Sequence, residues 1–592
     1  MKKLFLHIAL FFSLVCFSQN EQLAQFYFEK GDFEKAKVSF EELLTSVPHN
    51  SQYFQKTIDC YQQLQQFDVA EKAIQTRLNT YKQGNLWVEL GYNFQLQKNE
   101  ASAKIQYDLA IEKIKKNPNE VYGIAYSFEK KVLLEYALKS YQTAILIEPK
   151  FNFNYQMALL HGQLGNTEMM VTTFLDEAYT NPQNAIQIQN QLSRFMVEEG
   201  DGNFNESLRK ALVTRAQKNQ DVFCIYFLSW FYVQQKVFGK AFIQEKAVYK
   251  RNPESLASIL NLAQLAIEEG EIETAKEILA FVIENTNDVD LQIQAHSYLM
   301  EIKIEKVLEK DFATIDSELT NLISKFGISP SSLPLQLIQA HFIAFELKKP
   351  EEGKTIIKKT LELQLNDYEE AQAKMELADI LLFEEKFNQA LLYYSQIEEN
   401  LKNDAVAHEA SLMAAKTSYF QGDFAWASKQ FKELKSASTQ LIANDALEYF
   451  LLISDNTVAD STQTALKQFA KGDYLLYQNR NKEAETQFQA ILKSFKGQQV
   501  EAVTMLRLGK IFEKKGDYSL ALSQYQAIIE QHPESIHMDE ALFFSAEIEN
   551  KKMQQPEKAK LLYEKIIFNH QDSIYFVEAR KEYRQLRGDK NL

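Results

Sequence analysis

Trp87-Val88-Glu89-Leu90-Gly91-Tyr92-Asn93-Phe94, followed by Ala103, Tyr107 and Ala110, is the stretch of this chain that decides the fold. Its spacing is W-x2-L-G-x2-F and then A-x3-Y-x2-A. Residues at i, i+1 and i+4 share one face of a helix, so Leu90, Gly91 and Phe94 form a face of one helix. Ala103, Tyr107 and Ala110 form a face of a second. Gly91 and Ala103 are small where the two helices approach closely, and Trp87, Phe94 and Tyr107 fill the space around that contact.

The same register recurs along the chain. Ala36 and Phe40 precede it, and Ala70 follows Tyr61. After it come Ala125 with Ala137 and Tyr141, Ala158 with Phe174, Ala241, and Ala263 with Ala275. Ser207 and Ala211 carry a weaker copy. From 291 to 366 the pattern diverges: Ile315 and Gly353 take the alanine position, and Gly327–Pro334 reads as a break. Clear copies return with Ala378, Ala390 and Tyr394, then with Ala415, Ala427 and Phe431. A last block carries Gly472 with Phe488, Gly509 with Tyr525, and Ala546 with Tyr563, at slightly longer spacing.

This pattern resembles the tetratricopeptide repeat, a helix–turn–helix unit of about 34 residues. The resemblance implies an all-α, right-handed superhelical solenoid of about 14–15 units, some of them degenerate. The expected organisation is a leader at 1–18, a repeat array at 19–290, divergent repeats at 291–366 and regular units at 367–440. An irregular connection at 441–463 follows, with one helix around Asp445–Ile453, and then a block with a capping helix at 464–592. The connection reads as a hinge on which the last block pivots. That block is also similar to repeats of bacterial envelope-assembly and cell-division coordinator proteins.

Composition bounds the rest. The 592 residues include 10 prolines and 18 glycines and carry a net charge of −15. An acidic chain without a basic stripe argues against nucleic acid and anionic lipid as partners. Lys2 and Lys3 precede an apolar run from Leu4 to Phe17, and Cys16-Phe17-Ser18 sets small residues before a cut between Ser18 and Gln19. This reads as a secretory signal, so the mature chain is expected to be exported, to a periplasm, with no transmembrane segment. An uncleaved anchor is the minority reading. Acylation at Cys16 is disfavoured because Ser13-Leu14-Val15 lacks the small residue that normally precedes an acylated cysteine. Cys60 and Cys224 lie several units apart, too far for a disulfide, and are expected to be buried thiols.

No H-E-x-x-H, P-loop, G-x-G-x-x-G or G-x-S-x-G motif occurs. His532 and His537 flank a turn and lack further metal ligands. Neighbouring pairs such as Glu198-Glu199 diverge by about 100° on a helix and share no site. The reading is therefore a non-enzyme without metal or cofactor, a scaffold for other proteins. An accessory role in outer-membrane assembly or secretion is the alternative, and cell-wall glycan binding the more distant one.

The resemblance implies that ligands meet the inner face of the first helices, where the residue after the small position lies. That residue is Asp59, Tyr92, Tyr126, Leu159, Met196, Trp230 and Gln264 in the earlier units, then Ile304, Phe342, Asp379, Lys416, Asp473, Lys510 and Glu547. Four residues earlier stand Val88, Tyr122, Tyr155, Leu192 and Tyr226. Tyr92, Tyr122, Tyr126, Tyr155, Met196, Tyr226 and Trp230 are the candidate partner-binding residues, aromatics being favoured where binding energy concentrates. Burial of this stripe between neighbouring helices is the competing reading. Lys416, Lys510, Glu513 and Lys514 form a secondary, charged candidate surface, or a solvated face.

Overall fold

A computed structural model describes residues 20–198, 202–219, 221–305, 307–402, 404–437, 439–458 and 462–589. The leader and the Ser18–Gln19 cut lie outside them. Among the described residues the regular structure is entirely helical.

The chain divides into two compact units. The first contains residues up to 199 together with Asn203–Lys218, and the second contains Asn219 onward. Antiparallel helix pairs build both. In the first unit a helix at 20–29 pairs with Phe33–Ser46, and then Ser51–Gln63 with Phe67–Tyr81. Asn85–Leu96 pairs with Glu100–Lys116, Val121–Lys130 with Leu134–Ile147, and Asn154–Gln163 with Thr167–Thr180.

Three features of the sequence make these pairs. The turn inside a pair needs one left-handed residue: Gly31 has φ 76° and Gly422 φ 88°, so glycine adopts it without strain. Asp32, next after Gly31, then accepts from the Lys35 amide and caps the second helix. Small residues bring the two axes together. A Cβ added at Gly91 would stand 2.4 Å from the Tyr107 ring, so glycine here lets that ring lie close against the first helix. Tyr107 is 3% exposed there, and Ala103 and Ala110 are buried beside it. Aromatics then link one pair to the next: Phe128 stacks on Tyr136 at 5.2 Å and meets Tyr107 edge-on at 5.5 Å. Each such buried side chain contributes about 1.5–3 kcal/mol through removal from water.

The second unit runs from Val222–Gln234 with Phe238–Arg251 to the final helix Phe576–Arg587. The divergent stretch keeps the same construction. Gly353 stands at the alanine position because a Cβ there would lie 2.8 Å from the Ala340 carbonyl oxygen. The stretch expected as an irregular connection contains a 19-residue helix, Gln440–Val458, much longer than the one read from the sequence. It continues the core: Tyr449 stacks on Phe431 at 5.2 Å and meets Tyr419 edge-on at 5.1 Å. Cys60 and Cys224 are both buried, and burial pushes the Cys60 thiol up to about 12.

Candidate ligand-binding surface

In the first unit the fold turns the residue after each small position away from its own pair. Tyr92 is half-buried, with the Lys131 ammonium 4.6 Å from its ring centre. That ammonium belongs to a charged network across three first helices. It lies 2.9 Å from Asp59 and 3.2 Å from Glu89, and Gln55 donates to Asp59 at 3.1 Å. Burial raises the pKa of Glu89 against the pull of Lys131. Lys131 shows the reverse balance: burial opposes its charge, yet Glu89 and Asp59 raise its pKa. The network borders a cleft of about 820 Å³ lined by Gln55, Lys56, Asp59, Tyr92, Lys98 and Lys131 among others.

Tyr122 and Tyr126 are each 58% exposed on helix Val121–Lys130. Both belong to the next unit of the same array. Tyr122 rests edge-on against Phe153 at 5.5 Å, which fixes its ring while leaving one side open. Tyr126 carries the Lys130 ammonium 5.4 Å from its ring centre. Tyr155 is half-buried against Phe174 at 5.7 Å, and Met196 is half-buried.

The expected second apolar row is not continuous. Val88 and Leu192 are 0% exposed and belong to the core. Tyr122, at the same position, stays more than half exposed. In the second unit Tyr226 is 51% exposed, and Trp230 is half-buried against Phe227 at 5.2 Å. Phe342, at the same register, is fully buried.

The charged residues of the later units serve the fold more than a surface. Lys416 pairs with Asp445 at 3.3 Å and lies over the Tyr449 ring. Lys510 pairs with Glu540 at 2.6 Å. Glu513 accepts from the Tyr525 hydroxyl at 3.2 Å, while Lys514 is exposed. Asp379 and Glu547 accept in the same way from Tyr394 and Tyr563. A tyrosine in the second helix buries its ring against the first and needs an acceptor for its hydroxyl. Of the four charged candidates read from the sequence, Glu513 has a tyrosine hydroxyl bonded to it, whereas Lys514 stays at the surface.

Sequence reasoning missed the partners of these groups. Arg507 donates to Asp473 at 3.1 Å and to Glu448 at 2.8 Å, and the Tyr419 hydroxyl also reaches Asp473, at 3.3 Å. Asp473 and Arg507 sit one repeat apart, a spacing at which an acid and a base on first helices can meet. His532 and His537 face separate carboxylates, Glu501 and Glu540. Among the described residues no group of three His, Cys, Asp or Glu side chains could hold a metal ion. No described helix is long and apolar enough to cross a membrane.

Comparison with known proteins agrees with this construction at two places. Residues 469–536 match one family model of the tetratricopeptide repeat, and residues 20–50 match another. The chain therefore contains tetratricopeptide repeats within those two stretches. No curated protein matches it. Among solved structures it is similar to a chain of the APC/C hetero-tetramer Cut9-Hcn1, with 12% identity, 92% of this chain and 98% of that one covered, and a TM-score of 0.26. It is also similar to a chain of Naa15/Naa10 bound to HypK-THB, with 11% identity, coverage of 97% and 96%, and a TM-score of 0.26.

Proposed function

We propose that this chain is a non-catalytic scaffold that binds a segment of another protein on the inner face of the first unit. The observation that carries this reading is the pair Tyr122 and Tyr126. Both are more than half exposed, on an element whose remaining apolar side chains are buried. A rigid helix that presents two aromatic rings beside the polar cleft at Tyr92 has the anatomy of a binding surface, with an apolar anchor and a polar rim. Tyr226 and Trp230 offer a second aromatic patch within the second unit. The apolar run before Gln19 supports placing the protein in a cell envelope, with envelope or secreted proteins as partners. A role in outer-membrane assembly or secretion is a narrower form of the same reading.

Affinity capture from envelope extracts, with wild type and a Tyr122→Ala/Tyr126→Ala double variant compared quantitatively, tests the surface. Both rings are more than half exposed, so the variant is expected to fold normally by circular dichroism. Capture of the specific partner is expected to fall by at least about thirtyfold, since an aromatic anchor is worth about 2 kcal/mol or more. A partner retained at wild-type level by the double variant would sink the proposal.

A further inference from the structure

Acidic residues outnumber basic ones in this chain by 80 to 65, yet one cleft of the first unit gathers positive charge. The cleft beside Tyr92 is lined by Lys56, Lys98, Lys130 and Lys131 and, among the described residues, by a single acid, Asp59. Three successive first helices deliver the lysines. Lys56 stands in the middle of Ser51–Gln63, Lys98 in the turn after Asn85–Leu96, and Lys130 and Lys131 at the end of Val121–Lys130. A helix C-terminus favours a nearby cation through its dipole, which accounts locally for Lys98, Lys130 and Lys131 but not for Lys56.

Lys131 is committed to the fold, held by Asp59 and Glu89. The other three have no carboxylate within ion-pair distance among the described residues. Lys56 lies over the Phe28 ring at 3.7 Å, and Lys130 lies 5.4 Å from the centre of the Tyr126 ring. Those are contacts with rings, not with counter-charges. A cleft lined by one sign of charge concentrates ligands of the other sign. Donors accompany the charge. Four glutamines share the lining, and one of them, Gln62, is 6% exposed with no hydrogen-bond partner for its amide nitrogen. A buried donor left unpaired costs free energy that an arriving acceptor removes. Lys130 also joins the cleft to the exposed tyrosines, since it lines the one and reaches the Tyr126 ring of the other.

We propose that this cleft takes the carboxylates of an acidic partner segment: Asp or Glu side chains meet Lys56, Lys98 and Lys130 while a neighbouring apolar side chain covers Tyr122 and Tyr126. The proposal rests on the reading of the first unit's inner face as the binding surface and adds the chemistry of the partner to it. A protein segment fits better than nucleic acid or a lipid surface. A chain of net charge −15 repels an extended polyanion or an anionic bilayer outside the cleft, whereas a short acidic segment meets the cleft alone.

Selection of random peptides on the full chain tests this, with the peptides displayed on phage through their C-termini so that side chains supply the carboxylates. The selected sequences are expected to be enriched in Asp and Glu. Synthetic copies, amidated at the C-terminus, are then measured by fluorescence anisotropy. Lys98→Glu/Lys130→Glu reverses two exposed charges of the cleft and is expected to weaken binding at least about tenfold. Lys116→Glu/Lys150→Glu changes the net charge equally at exposed positions outside the lining, and is expected to weaken it less than about threefold. Peptides selected without acidic enrichment, or acidic peptides indifferent to the cleft reversal, overturn the proposal; if those peptides depend on Tyr122 and Tyr126, the binding surface itself stands. Acidic peptides that need the lysines but bind Tyr122→Ala/Tyr126→Ala as tightly as wild type support the cleft and remove the aromatic anchor. A library that yields no binder overturns the proposal, and lysine-dependent binding of phosphatidylglycerol vesicles would then assign the cleft to lipid.

Discussion

Replacing Arg507 by methionine is expected to destabilise the second unit by about 3–5 kcal/mol at neutral pH. The guanidinium lies between two carboxylates, bonded to Asp473 at 3.1 Å and Glu448 at 2.8 Å, and only 13% of its side chain reaches solvent. Methionine matches the length and apolar body of the arginine stem, so packing is largely kept. What is lost is the cation bonded to Asp473, which is 5% exposed. A buried carboxylate stripped of its partner carries the full desolvation penalty, which is why breaking such a pair is far worse than never having built it.

The pH dependence identifies the cause. Burial already raises the Asp473 pKa, and Arg507 holds it down. Without Arg507 the carboxyl rises further, so the variant's deficit should be greatest above neutrality and shrink as acid protonates Asp473. The double variant Arg507→Met/Asp473→Asn should recover most of the loss, because asparagine still accepts from the Tyr419 hydroxyl without carrying charge. Urea unfolding by circular dichroism, with hydrogen exchange in helix Val500–Lys515 to localise the change, measures both effects. An Arg507→Met deficit below about 1 kcal/mol, or one that does not vary with pH, would contradict this account.

The parts of this molecule that follow from local spacing were legible in the sequence. Gly91 with Tyr107 and Gly509 with Tyr525 have the same offset and the same contact, because a helix pair joined by a short turn has little freedom. Ala378 with Tyr394 is read in the same way. The inner face was only half legible. Val88 and Tyr122 occupy the same register position, yet one is 0% and the other 58% exposed. That difference depends on how closely the neighbouring pair approaches and on side-chain volume, neither of which periodicity carries. The acids were harder still. Asp379 and Asp473 look like surface residues until the tyrosine, or the arginine one repeat away, is placed opposite them. Helix Gln440–Val458 was underestimated because the polar residues after Ile453 carry no apolar periodicity, although the helix continues through them to Val458.

The glycine at the close approach of a helix pair gives the other large effect: Gly509→Val is expected to destabilise the C-terminal repeats by about 3 kcal/mol or more. A Cβ at this position would stand 2.3 Å from the Tyr525 ring, well inside contact distance. The ring cannot swing away. It is 0% exposed, its hydroxyl is held by Glu513, and Phe544 lies 5.9 Å from its centre. The two helices must therefore separate, and a gap between close-packed helices forfeits contacts along its whole length. Two controls distinguish this from a general intolerance of glycine replacement. Gly239 has no atom near a built Cβ and no positive φ, so Gly239→Ala should be neutral or stabilise by up to about 1 kcal/mol through helix propensity. Tyr525→Ala by itself opens a cavity, but combined with Gly509→Val it provides the space that the valine needs. The double variant should then be less destabilised than the sum of the two single changes, by about 1 kcal/mol or more. Strict additivity in urea unfolding would mean that the close approach of Gly509 to Tyr525 does not set the spacing of the pair.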